Sequence, residues 1–114
     1  MTGNEFLIVL STCPDAAVAA GLAGALLEGG HAACVNVVPA VRSMYLWEGA
    51  IRTDDEVLMV IKTTTAQFTG LREALVARHP YELPEVVAVA IEDGHHPYLE
   101  WIAHPHGPTP TGPS

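Results

Sequence analysis

Residues 33–62 read ACVNVVPAVRSMYLWEGAIRTDDEVLMVIK, and this stretch decides the fold. Ala33 to Trp47 is rich in Val and aromatics, with Pro39 as its one interruption. Glu48-Gly49 is a turn signal, and Ile51 to Lys62 returns as a second strand, so the pair reads as a β-hairpin. Proline cannot donate to a strand ladder, so Pro39 marks a bulge, a kink or an edge. At about 3.3 Å per residue each arm spans roughly 40–50 Å, against a radius of gyration of about 13 Å for a globule of this size. The hairpin must project beyond its own domain or kink at Pro39 and wrap. Its far end carries Met44, Tyr45, Leu46, Trp47 and Ile51, which a monomer has no means of burying.

Working outward, Phe6 to Leu10 is a continuous apolar run that reads as a strand buried on both faces. Ser11 to Asp15 reads as a turn, with Asp15 placed to cap a helix over Ala16 to Glu28. Val18, Leu22, Ala25 and Leu26 form that helix's apolar stripe, and Gly29-Gly30 ends it with a left-handed residue. Gly21 and Gly24 are poor helix formers, and close packing against a sheet is the expected reason for them. Beyond the hairpin, Thr65 is expected to cap a helix over Ala66 to His79, with Phe68, Leu71, Leu75 and Val76 on one face and Pro80 as its stop. Val86 to Ile91 reads as a strand, and Pro97 to Ile102 as a short helix with proline in its first turn. The order β-α-β-β-α-β plus a short C-terminal helix is α+β and ferredoxin-like, with a long β2-β3 hairpin. One domain over residues 1–103 is expected, followed by a disordered Pro/Gly-rich tail over 104–114.

The 114 residues hold thirteen acids against five bases, a formal charge of −8. Too few cations are present to coat a phosphate backbone or an anionic membrane, so neither nucleic acid nor membrane is an expected partner. At 49% hydrophobic, with a mean hydropathy of +0.26, the chain is oily for so acidic a protein, which points to apolar surface shared with other subunits. The apolar runs are strand-sized, far short of the roughly 20 residues of a spanning helix. Met1 to Glu5 lacks the basic start of a signal peptide, and Cys13 and Cys34 do not make a disulfide framework, so reduced thiols in the cytoplasm are expected.

No phosphate-binding glycine fingerprint is present, since Gly29-Gly30 precedes a strand and not a helix. Cys13 stands just before a helix N-terminus, where a thiol pKa can fall, yet no base can be assigned to it. A small turn residue is the plainer reading. In His79-Pro80-Tyr81-Glu82-Leu83-Pro84-Glu85 an imidazole lies near three ionisable or phenolic groups on a backbone stiffened by two prolines. The segment reads either as a ligand or metal pocket of His79, Tyr81, Glu82 and Glu85, or as a helix C-terminus stabilised by His79. His95-His96 reads as a solvated turn, and His104-x-His106 as an incidental copper or nickel chelator. Asp54-Asp55-Glu56 reads as a charged edge that discourages aggregation.

The blocks A-C-V-N-x-x-P at 33–39, Y-x-W-E-G at 45–49 and H-P-Y-E-x-P-E at 79–85, with Glu56-Val57, Ile61-Lys62-Thr63 and Tyr98 to Ile102, resemble the CutA divalent-cation-tolerance family. The likeness covers about residues 5 to 103. It implies a non-enzymatic homotrimer with the architecture of the PII signalling proteins, linked to copper(II) and other divalent cations, with hairpins paired across subunits. His79 and Glu82 match the H-P-Y-E motif near the inter-subunit cleft and are the metal candidates, with Cys13 as a possible soft ligand. Tyr81, Glu85, Lys62 and Trp47 are candidates to line the cleft. Some relatives carry a proposed copper-ligating cysteine where Ser11 stands here, two residues before Cys13. A PII-type partner-binding loop is not expected, because Glu48-Gly49 closes the hairpin tightly. The alternative reading is a PII-like small-molecule sensor or interaction module that uses the same clefts.

Overall fold

A computed structural model describes residues 5–106. The four strands are β1 (Phe6–Cys13), β2 (Cys34–Trp47), β3 (Ala50–Thr64) and β4 (Val87–Ala90), and the helices are α1 (Ala16–Glu28), α2 (Thr65–Arg78) and α3 (His96–Ala103). They form one antiparallel sheet in the order β2-β3-β1-β4. That is the ferredoxin-like order, with its two split crossovers. The expectation for residues 107–114 of the tail lies outside the described residues. His104 closes α3, and residues 105–106 form a turn.

Alternation along β1 explains how the sheet carries two different faces. Leu7, Val9, Ser11 and Cys13 are buried, while Ile8, Leu10 and Thr12 are half-buried. Val57, Met59, Ile61 and Thr63 of β3 point the same way as the buried set, and Leu22, Leu26, Leu71 and Leu75 of the helices close over them. On the other face Ile8, Leu10, Leu58 and Val60 stand in register with Val38, Val87 and Val89. Val38 is 40% exposed and Val87 and Val89 are 50% exposed, so this second face is apolar and largely open.

Several local expectations shift. β1 runs to Cys13 and not to Leu10, because its ladder with β3 continues through the pair Cys13–Val57. Cys13 is therefore a fully buried strand residue, and the turn begins after it. Asp15 caps α1 as expected, accepting from the Val18 N–H at 2.8 Å. The cap of α2 is Thr64, one residue earlier than expected, and accepts from the Gln67 N–H. Gly30 supplies the left-handed residue after α1, at φ +74°. Gly21 and Gly24 do not mark a close approach, since a Cβ at either would meet nothing within 4 Å. His96 lies in the first turn of α3, not in a turn before it, and approaches Glu100 at 3.8 Å.

The hairpin is as long as its sequence demands. Its two strands hold 14 and 15 residues, and the molecule is 48 Å along its longest axis with a radius of gyration of 15.0 Å. Pro39 sits in a bulge between Val38 and Val41 on the edge strand β2, where Ala40 adopts φ +62°. At the tip Glu48 and Gly49 both have positive φ, the pattern of a two-residue primed turn that matches strand twist. Beyond the bulge, Met44, Leu46 and Ile51 occupy one face of the arm and are 69%, 75% and 71% exposed.

Candidate functional site

Pro80 ends α2 and forces His79 into an extended conformation at ψ +139°. This turns the segment 79–86 away from the helix layer and across the end of β1. Thr12 receives it at two points. The His79 Nε2–H donates to the Thr12 carbonyl oxygen at 2.8 Å, and the Thr12 hydroxyl donates to Glu85 Oε1 at 3.3 Å. The Tyr81 N–H donates to His79 Nδ1 at 3.1 Å. Nδ1 is thus an acceptor, which leaves Nε2 as the protonated nitrogen that meets Thr12. Tyr81 packs on the imidazole with ring centroids 4.7 Å apart, and its hydroxyl donates to Glu56 Oε2 at 2.5 Å.

A cleft of about 760 Å³ opens between this segment and the inner face of the hairpin. Tyr45, Trp47 and Tyr81 supply its aromatic walls, and Glu56, Glu82 and Glu85 its carboxylates. Thr12 and Arg52 also line it. The register puts Tyr45, Trp47, Arg52 and Glu56 on one side of the arm, because Tyr45 pairs with Arg52 and Val41 with Glu56. The Tyr45 hydroxyl donates to Asp54, so two of the three aromatic rings carry a carboxylate on their phenol.

Burial, reinforced by the Glu56 carboxylate, holds the Tyr81 hydroxyl protonated well above the ordinary tyrosine range. Burial also raises the Cys13 thiol, and the charges of Asp15 and Glu56 add to the rise. A neutral thiol closed inside the core is a poor nucleophile and a poor soft ligand.

The structure places Tyr81, Glu82, Glu85 and Trp47 on one cleft within the chain. His79 is beside them but 8% exposed, with both ring nitrogens engaged within the chain, and Cys13 faces the core. Lys62 lies elsewhere on the sheet, donating to the Tyr98 hydroxyl at 3.2 Å and facing its ring. Among the described residues no group of three or more His, Cys, Asp or Glu side chains is arranged to hold a metal ion. This includes His31, His104 and His106, which line a separate pocket of about 340 Å³ at the end of α3.

Of the cleft residues that the motif reading missed, among them Thr12, Tyr45 and Arg52, Glu56 is the buried one. Asp55 fits the charged-edge reading, exposed and paired with Arg42 at 3.3 Å. Glu56 does not, being 8% exposed on an interior strand. The available signal was its place one step before the apolar run Val57 to Ile61, in phase with Leu58 and Val60.

The CutA1 divalent ion tolerance protein family matches residues 7–105. A divalent-cation tolerance protein CutA of Thermus thermophilus is 46% identical over 95 residues, covering 83% of this chain and 92% of its own length. The mouse protein CutA is 46% identical over 91 residues, 80% of this chain but only 51% of its own, so this chain spans about half of that relative. Among solved structures, a divalent cation tolerance protein from Thermus thermophilus superposes with a TM-score of 0.86 at 44% identity, covering 90% of this chain and 99% of the other. A protein described as a periplasmic divalent cation tolerance protein from Archaeoglobus fulgidus gives 0.82 at 36% identity, over 85% and 94%.

Proposed function

This chain belongs to the CutA1 divalent-ion-tolerance family, and from that premise we propose that it acts without catalysis, as a homotrimer that serves the response to divalent cations, copper(II) among them. The observation that carries the trimer is the pair of uncovered apolar surfaces: the open face of the sheet and the outer face of the arm, with Met44, Leu46 and Ile51. At about 25 cal/mol per Å² their burial supplies the association energy. Three is the number that the PII-like architecture implies.

Any direct ion contact then draws donors from more than one subunit. Glu82 and Glu85 are exposed at the mouth of the cleft and available to such a shared site. In this reading His79 positions Tyr81 and does not ligate. Copper(II) titration of the protein with His104 and His106 replaced by Asn tests it: His79→Ala is expected to leave copper uptake unchanged, and Glu82→Gln to lower it. Uptake that disappears with His79→Ala restores His79 as the ligand. Cytoplasmic residence belongs to the same reading and is supported by the two free thiols, Cys13 and Cys34. No helix among the described residues is long and apolar enough to cross a membrane.

The cleft favours a second reading, that of a small-molecule sensor. Its volume and mixed aromatic and polar lining suit an organic ligand better than a bare ion. A thermal shift produced by an organic compound, and absent with divalent ions, is the result that distinguishes the two.

A further inference from the structure

We propose that the open face of the sheet docks on a second copy of this chain in one direction only, with Lys62 of one copy set against Glu56 and Glu85 of the partner subunit. The inference rests on the reading of this chain as a trimer and names the charge contact that orients its subunits.

Side chains alternate along β3, so Glu56, Leu58, Val60 and Lys62 share the face turned away from α1 and α2. The middle of that face is apolar: Leu58 and Val60 stand beside Ile8 and Leu10, with Val87 and Val89 half exposed on the next strand. Its two ends carry opposite charge. At one end is Lys62, whose strand neighbours are Ile8 and Cys34 and whose ammonium donates to the Tyr98 hydroxyl at 3.2 Å. At the other end are Glu56, which accepts from the Tyr81 hydroxyl, and Glu85, which accepts from the Thr12 hydroxyl. Six residues of β3, about 20 Å of strand, separate Lys62 from Glu56. The two do not meet within one chain.

Docking this face withdraws Lys62 from water, and an ammonium withdrawn without a counter-charge is heavily penalised. The ion pairs among the described residues are Arg42–Asp55 and His96–Glu100, so Lys62 has only a neutral phenol for company. Glu56 is in the same position, 8% exposed with a phenol as its recorded partner. One contact between copies answers both. Opposite charges at the two ends of an apolar face also fix its direction, because a copy laid the other way sets like charge against like. Each copy lays its Lys62 end on the acidic end of the next, a head-to-tail contact that a trimer closes as a ring. Further out on the arm Asp54 is taken up by the Tyr45 hydroxyl. Glu82 stays free at the mouth of the cleft.

Lys62 is the only lysine in the chain, which makes a carbodiimide, a zero-length coupler of amines to carboxylates, a direct probe of its neighbour. The full-length protein is coupled, resolved on a denaturing gel and digested for mass spectrometry, with sedimentation equilibrium run beside it. Covalent dimers and trimers joined from Lys62 to Glu56 or Glu85 are expected. Lys62→Arg, which keeps the charge but does not couple, should retain the assembly and lose these links. Lys62→Met should raise the trimer dissociation constant at least about tenfold, and the cross-link on the unaltered chain stands as a check if that variant fails to fold. A trimer that yields no Lys62 link, or a link to other acids, overturns this contact while the trimer stands, as does a Lys62→Met trimer of unchanged affinity. An unaltered chain that sediments as a monomer overturns both.

Discussion

Tyr81 joins the two halves of the candidate site. Its N–H fixes the His79 tautomer and its hydroxyl meets Glu56, so one residue ties the segment after α2 to the base of the hairpin. Tyr81→Phe removes the donor to a buried carboxylate and should cost about 1–3 kcal/mol at neutral pH, read by urea denaturation. The folded protein holds the Tyr81 hydroxyl above its ordinary value of 10.0. Stability from that shift is complete below about pH 10 and is lost as pH rises further, toward the folded-state value. Wild type should therefore lose stability above about pH 10 more steeply than Tyr81→Phe, with Tyr45, shifted in the same direction by Asp54, contributing equally to both. Parallel alkaline profiles would remove Tyr81 from the site's proton balance. At this scale H-P-Y-E was legible because two prolines constrain a run of ionisable groups. Glu56 was not, because its partner lies 25 residues away. Nor was the fate of Ser11, whose hydroxyl is buried beside the helices without a hydrogen-bond partner.

The helices show how similar sequence signals acquire opposite meanings in the packed fold. Gly21 in α1 and Gly70 in α2 are both weak helix formers, each costing about 1 kcal/mol relative to alanine. A Cβ at Gly21 meets open space, whereas one at Gly70 comes within 3.0 Å of His31 Nδ1 and 3.1 Å of its Cε1. The His31 ring packs between Gly29 and Gly70, so a Cβ at Gly70 requires it to shift by a few tenths of an ångström. Gly21→Ala should thus stabilise by about 0.5–1 kcal/mol. Gly70→Ala should lose that gain to overpacking and fall about 1 kcal/mol below wild type. Thermal unfolding of the two variants checks both, and stabilisation by Gly70→Ala would mean that His31 is free to move. Element types and order were legible from periodicity and caps, and Asp15 stands where the sequence placed it. Boundaries slipped by a residue or more wherever the deciding interaction came from another strand, as with the β3 partners that carry β1 to Cys13.

Among the described residues, α1 and α2 cover one sheet face, while much of the other face and the outer side of the arm stay apolar and open. Ile51→Asp places a charge on that outer side without touching the core. It should turn an assembly of about three times 12.1 kDa into smaller species by sedimentation equilibrium. An unchanged mass would show that the arm's outer face is not the contact.

By itself the sequence determined the ferredoxin-like order, the overlong hairpin, its interruption at Pro39 and the tight Glu48-Gly49 turn. These follow from periodicity, proline and glycine stereochemistry and strand length, all of which act over a few neighbouring residues. Only the tertiary structure decided which acids meet which aromatics. It sent Asp55 to solvent and Glu56 into the cleft, used both nitrogens of His79, and closed Cys13 in the core. Those outcomes depend on sheet register and on the path of residues 79–86 across β1. A one-residue change of register would have turned every one of those strand side chains to the opposite face.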